Sequence, residues 1–151
     1  MKVGVVLNDL GASQSAFMAI SFANTLLVNN LLTDITLFFC TNVPVVTRPM
    51  VAAINVDKIH QFKGLLVATD LYTASLVAKT NADKALYLWD LEWLRDRGSY
   101  IANVTLLKNS GFKLFARSEY HAKAIENYCG VVPTVLPQFN LLEMVKTYEK
   151  E

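Results

Sequence analysis

Cysteine is scarce: Cys40 and Cys129 are the only two in 151 residues, too few for a disulfide framework or for a zinc site built from thiolates alone. They read as buried thiols of a reducing compartment. Net charge is scarce as well. Fourteen Lys and Arg against thirteen Asp and Glu leave +1, so nucleic acid and anionic membranes are not indicated as partners. Long apolar runs are missing. Val3 to Leu7 meets Asn8 and Asp9 at once, too short for the core of a signal peptide. Gly64 to Ala68 and Ala85 to Trp89 are likewise short, against about 20 residues for a membrane span. Histidine is limited to His60 and His121, neither in an HxxxH or Cys/His cluster, and no metal site is expected.

What the chain does have is a 53% hydrophobic composition, ample for a core that buries roughly 68 to 70% of the unfolded surface. The length matches one domain at about 150 residues. The expectation is a soluble, cytoplasmic, single-domain protein over residues 1–151.

Periodicity predicts alternating strands and helices. Lys2 to Leu7 is a continuous Val-rich run, as in a strand buried on both faces. A helix follows from Ser13 or Ser15 to Asn29, with Phe17, Ile20, Ala23 and Leu27 on its apolar stripe. Asp34 to Phe39 is a second strand, Asn42 to Pro49 a loop or short edge strand, and Met50 to Ile54 a third strand, with a helical turn near Asp57 to Phe62. Gly64 to Ala68 is a strand from which Asp70 caps a helix through Lys79, and Lys84 to Trp89 is the next strand. Residues 92 to 108 have helix-like spacing interrupted by Gly98. Lys113 to Ala116 is a strand; Ser118 caps a helix to Tyr128, ended by Cys129 and Gly130. Val132 to Leu136 is a last short strand and Asn140 to Tyr148 a terminal helix, with Lys146 to Glu151 expected to fray. This order predicts an α/β fold, a three-layer Rossmann-like sandwich with a mainly parallel sheet.

The first loop, NDLGAS, has neither the GxGxxG fingerprint nor the GxxxxGK[ST] phosphate loop, so standard dinucleotide and P-loop readings fail. Gly11, Ser13 and Ser15 suit either an anion or sugar contact or, more commonly, a turn glycine and a helix cap. In parallel sheets ligands sit beyond the carboxyl ends of the strands. Collected there are Asn8 and Asp9, Thr41 and Asn42, Thr69, Asp70 and Tyr72, then Asp90 and Glu92 between Trp89 and Trp93, then Arg117, Ser118, Glu119 and His121. Thr69, Asp70 and Ser118 also fit plain capping. WDLEW, with two carboxylates and two indoles, fits a carbohydrate platform or aromatic packing. Trp89 is expected to pack, while Trp93 lies beyond the strand, folded on the core or standing beside Glu92 as a stacking face. His121, in a first helical turn near this edge, is a candidate base or hydrogen-bond donor. Arg95, Arg97, Lys108, Lys113 and Arg117 against Asp96 make a local +4, suited to a phosphate or to a solvated face.

KVGVVLND, KGLLVATDLYTA, LYLWDLEWL and KLFARSEYHAKAIENYCG followed by TVLPQFNLLEMV together resemble the N-terminal, acceptor-side domain of a GT-B-fold glycosyltransferase, particularly the small glycosyltransferase-like proteins of phages. The resemblance implies a sugar acceptor or nucleotide-sugar ligand and no other cofactor. It makes Glu92, Asp90 or His121 the group that takes the acceptor proton, and Trp93 a sugar-holding face. Asn8, Gly11, Ser13, Asp70, Arg117 and Ser118 become ligand contacts. A GT-B enzyme normally places its donor on a second Rossmann-like domain, which this chain lacks, and no DxD motif is present; Asp90-Leu91-Glu92 is a distant echo. Transfer would then need a partner chain, a homo-oligomer cleft or a one-domain solution. The alternative is a non-catalytic Rossmann-like binding or assembly module, viral in origin and resident in host cytoplasm.

Overall fold

Each apolar run becomes a strand because it is covered on both sides: Val3, Val5, Val6 and Leu7 are at most 1% exposed, which leaves no face for polar alternation. A computed structural model describes residues 1–32, 34–95 and 99–150. Its strands are β1 (Val3–Leu7), β2 (Ile35–Phe39), β3 (Ala52–Asn55), β4 (Leu65–Ala68), β5 (Asp83–Leu88), β6 (Phe112–Ala116) and β7 (Thr134–Val135). Its helices are α1 (Gln14–Val28), α2 (Leu71–Val77), α3 (Tyr100–Asn109), α4 (Glu119–Cys129) and α5 (Leu141–Glu149), with 3-10 turns at Val56–Gln61 and Glu92–Leu94. The protein is one α/β domain, a Rossmann-like three-layer sandwich.

The strand order is β3-β2-β1-β4-β5-β6-β7, and every pair is parallel. From β1 the chain first moves toward β2 and β3, then returns to β4 and proceeds the other way. Right-handed crossovers in opposite directions put their helices on opposite faces. Accordingly α1 packs on one face over Val5, Leu37 and Val67, while α2, α3 and α4 cover Leu66, Leu86 and Leu114 on the other. The reversal between β1 and β4 is the topological switch point, where the two flanking loops part and leave a crevice.

Local rules set the helix ends. Ser13, Asp70, Ser118 and Asn140 each accept a backbone N–H in the first turn of the helix that follows, which satisfies donors that have no intrahelical partner. Gly130 ends α4 at φ 76°, a left-handed position that glycine takes without strain.

Several expectations change. The buried stripe of α1 is Ala16, Ala19, Ile20, Ala23 and Leu26, while Phe17 is 53% exposed; alanines let the helix approach the sheet, and the larger ring stands off it. The third strand begins at Ala52, later than predicted, because Asn24 bonds Met50 N and Arg48 O and holds that segment in a loop. The segment 92–108 divides into a 3-10 turn and α3, with Gly98 outside the described residues. The C-terminal stretch is docked, not frayed, through Glu149. Lys113 Nζ donates to Thr147 O at 2.9 Å and lies 4.2 Å above the Tyr148 ring, and Tyr148 Oη donates to Lys84 O.

Candidate functional site

Because all strands run the same way, the residues after β1, β4, β5 and β6 share one edge. Asn8, Asp70, Asp90 and Arg117 therefore stand at the same end of the sheet. At the switch point Asn8 Nδ2 donates to Asp70 Oδ2 and so ties the end of β1 to the start of α2. The other Asp70 oxygen accepts from Thr73 N at 2.7 Å, and Thr73 Oγ1 accepts from Asp70 N in return, a reciprocal cap.

Beside this bridge lies a cleft of about 320 Å3. Gln14 and Ser15 of α1 form one wall, Thr69 and Asp70 another, and Trp89, Asp90, Glu92 and Arg95 the third. Three carboxylates thus meet one guanidinium. Asp90 is bound to that guanidinium, with Oδ2 2.6 Å from Arg95 Nη2, and its other oxygen accepts from Leu91 N at 3.0 Å. Glu92 is half-buried and its Oε2 accepts from Leu71 N at 2.8 Å, which leaves its second oxygen outside any described hydrogen bond. Burial pushes the Glu92 carboxyl above the ordinary carboxylate range; the Leu71 N–H and Arg95 oppose the rise, and the neighbouring Asp70 and Asp90 charges reinforce it. Among the described residues no group of three or more His, Cys, Asp or Glu side chains is arranged to hold a metal ion.

Of the two places open to it Trp93 takes the packed one, while Trp89, expected to pack, is only half-buried and lines the cleft. Trp93 is 7% exposed and stacks on Tyr128 at 4.3 Å between centroids and 8° between planes, with Tyr100 edge-on to the far partner at 5.3 Å. It belongs to the core under α2 to α4, and its role as a sugar-stacking face is corrected accordingly. The 3-10 turn at Glu92–Leu94 carries the chain toward that core and takes the indole with it. Trp89 lines the cleft instead, half-buried and 5.7 Å from the Tyr87 ring. Strand parity holds the missed signal: Trp89 shares its sheet face with Ala85 and Tyr87, and there it meets α1 and the cleft.

Other predicted site residues have structural employment. Gly11 N donates to Asp9 Oδ1 at 2.8 Å, so this amide is already taken. A Cβ on Gly11 would sit 2.9 Å from Val43 Cγ2, and glycine is there to let the loop after β2 approach. Ser13 Oγ accepts from Ala16 N at 3.1 Å, and Ser118 Oγ from His121 N at 3.1 Å. His121 is 8% exposed and does not line the cleft. Its Nδ1 is buried with no hydrogen-bond partner among the described residues. Burial lowers its pKa, the Arg117 charge lowers it further, and Asp90 partly offsets both, so the imidazole is neutral near pH 7.

The basic group disperses. Lys108 and Lys113 lie toward the amino edge of the sheet, at the end of α3 and the start of β6, while Arg95 and Arg117 are at the carboxyl edge. Arg97 and Asp96 lie outside the described residues. Arg117 is exposed. Cys40, half-buried behind Asn8, is unpaired, as is buried Cys129; burial raises the Cys40 pKa and Asp70 adds to the rise. No helix among the described residues is long and apolar enough to cross a membrane. No protein-family model matches the chain, and no curated protein matches it.

Proposed function

We propose that the switch-point cleft binds a saccharide, as the acceptor-side half of a glycosyltransferase-like protein. The observation that carries this reading is the convergence of Asp70, Asp90 and Glu92 with the Trp89 ring on one cleft. Sugar hydroxyls donate to carboxylates, and an indole face covers the C–H surface of a pyranose. Three carboxylates against Arg95 also disfavour a diphosphate, which selects a neutral sugar over the nucleotide-sugar donor. In transfer, Glu92 is the group to take the acceptor proton: one oxygen is held by Leu71 N, and its raised pKa brings it closer to the operating range of a general base. The donor would be presented by another domain or chain.

A second reading, a binding module without transfer, is favoured by the engagement of Asp70, Ser13 and Ser118 as helix caps. The two separate in one experiment. Saccharides titrated against the protein are expected to shift Trp89 emission, with Trp89→Phe silent and Glu92→Gln binding about tenfold or more weaker, as loss of a charged acceptor implies. A panel of neutral mono- and disaccharides that leaves the emission unchanged refutes the saccharide reading. Binding without turnover of any nucleotide sugar, with or without partner chains, selects the module.

A further inference from the structure

The loop after β2 builds a second recess on the same edge. Cys40 N and Thr41 N both donate to Asn8 O, at 3.2 and 2.8 Å, which ties this loop to the residue that bridges to Asp70. Farther along, Val43 packs against Gly11. Between them is a pocket of about 220 Å3 walled by Leu10, Phe39, Val43, Val45, Pro49 and Ala53, with Thr41 and Asn42 as its polar members and no charged side chain in its lining. A neighbouring groove shares Val43 with this pocket and runs past Gly11 to Ser13. The next residues in the chain, Gln14 and Ser15, are a wall of the carboxylate cleft. One short segment, 10–15, therefore borders an apolar pocket at one end and a polar cleft at the other.

We infer that the pocket and the cleft are two halves of one site, which takes a glycoside: the sugar in the cleft and an apolar aglycone, aryl or short alkyl, in the pocket. This rests on the saccharide reading of the cleft. Size and chemistry agree with it. An apolar cavity of about 150 Å3 is enough to hold benzene, so this one admits a phenyl ring with room for its linkage. Its walls gain by shedding water onto an apolar group and offer nothing to a phosphate.

The test uses 15N-labelled protein, amide NMR and three kinds of probe: phenol, methyl glycosides of four common hexoses, and the matching phenyl glycosides. Phenol is expected to shift the amides of Leu10, Phe39 and Ala53. A methyl glycoside is expected to shift those of Trp89, Asp90 and Glu92, and its phenyl counterpart to shift both sets while binding at least about tenfold tighter. Val45→Asp, at a position 51% exposed where the fold tolerates charge, is expected to erase the phenyl advantage and keep the methyl affinity. Phenol that leaves the pocket amides unmoved overturns the inference whatever the cleft does. Equal affinity of phenyl and methyl glycosides overturns it while the saccharide reading stands. Pocket shifts from phenol with no glycoside at the cleft overturn the saccharide reading, and the glycoside inference with it.

Discussion

Replacing Trp93 with alanine removes an indole that is 7% exposed and lies flat against Tyr128. Truncating a buried Trp costs about 3 to 5 kcal/mol in transfer and cavity terms, and roughly 0.5 to 1.5 kcal/mol beyond area burial belongs to an aromatic pair of this kind. Relaxation is limited here, because Tyr128 is itself braced by Tyr100 and by Asn103 Nδ2 at 3.5 Å from its hydroxyl. At about 2 to 4 °C per kcal/mol for a domain of this size, the expected fall in Tm is roughly 6 to 20 °C. Urea unfolding followed by far-UV circular dichroism reads the loss directly, with an unchanged m-value showing that the change is one of stability. Trp93→Phe keeps a ring against Tyr128 and is expected to lose less than the alanine variant. It also leaves Trp89 as the sole indole, so saccharide-linked emission should survive in this variant and vanish in Trp89→Phe. A loss under about 1 kcal/mol for Trp93→Ala, below the range for buried aromatics, would refute the placement of this ring in the core.

Asp70→Ala removes the cap of α2 together with the partner of Asn8 and is expected to cost about 1 to 2 kcal/mol, with Asp70→Asn recovering most of it, as chemical denaturation will show. His121 titrates lower folded than unfolded, so its contribution is fully present above its unfolded pKa near 6.5 and is lost as pH falls through that value toward the folded one; His121→Leu should flatten this acid-side decline in midpoint urea concentration. Glu92 acts in the opposite sense, since its raised pKa favours the protonated form in the fold. Its contribution is present at low pH and lost as pH rises through the folded pKa. Glu92→Gln, which keeps an oxygen for Leu71 N, is therefore expected to raise the denaturation midpoint at pH 7 while it weakens saccharide binding.

The elements legible in advance were those set by neighbours in the chain. A Val or Leu run that stops at Asn8, Asp70 or Asp90 announces a doubly covered strand, and Ser13, Asp70 and Ser118 announce helix starts because only the next three residues decide a cap. What escaped depends on contacts between distant segments. Whether Trp89 or Trp93 reaches the cleft turns on the face of β5 that meets α1 and on the direction taken by the Glu92–Leu94 turn. The apolar pocket brings Leu10 together with Val43 and Ala53, a pairing of distant segments with no local trace. The pairing of Arg95 with Asp90 likewise dissolves the basic cluster that composition suggests. The terminal helix was foreseen, but the docking of its end was hidden for the same reason: its anchor, Lys84, is 64 residues away from Tyr148.

That last contact bears on how the molecule assembles. Leu141, Met144 and Val145 of α5 are at most 4% exposed and close over the face that presents Ala85, Tyr87 and Phe115. Until α5 arrives, β5 and β6 have one dressed side and one bare side. In a chain emerging from the ribosome Tyr87 and Phe115 thus stay uncovered by α5 until after β7 is made, and the separation of α5 from β5 along the chain makes its docking a late step. Removal of α5 would leave a nearly complete sheet with a sticky face, a species better suited to aggregation than to unfolding.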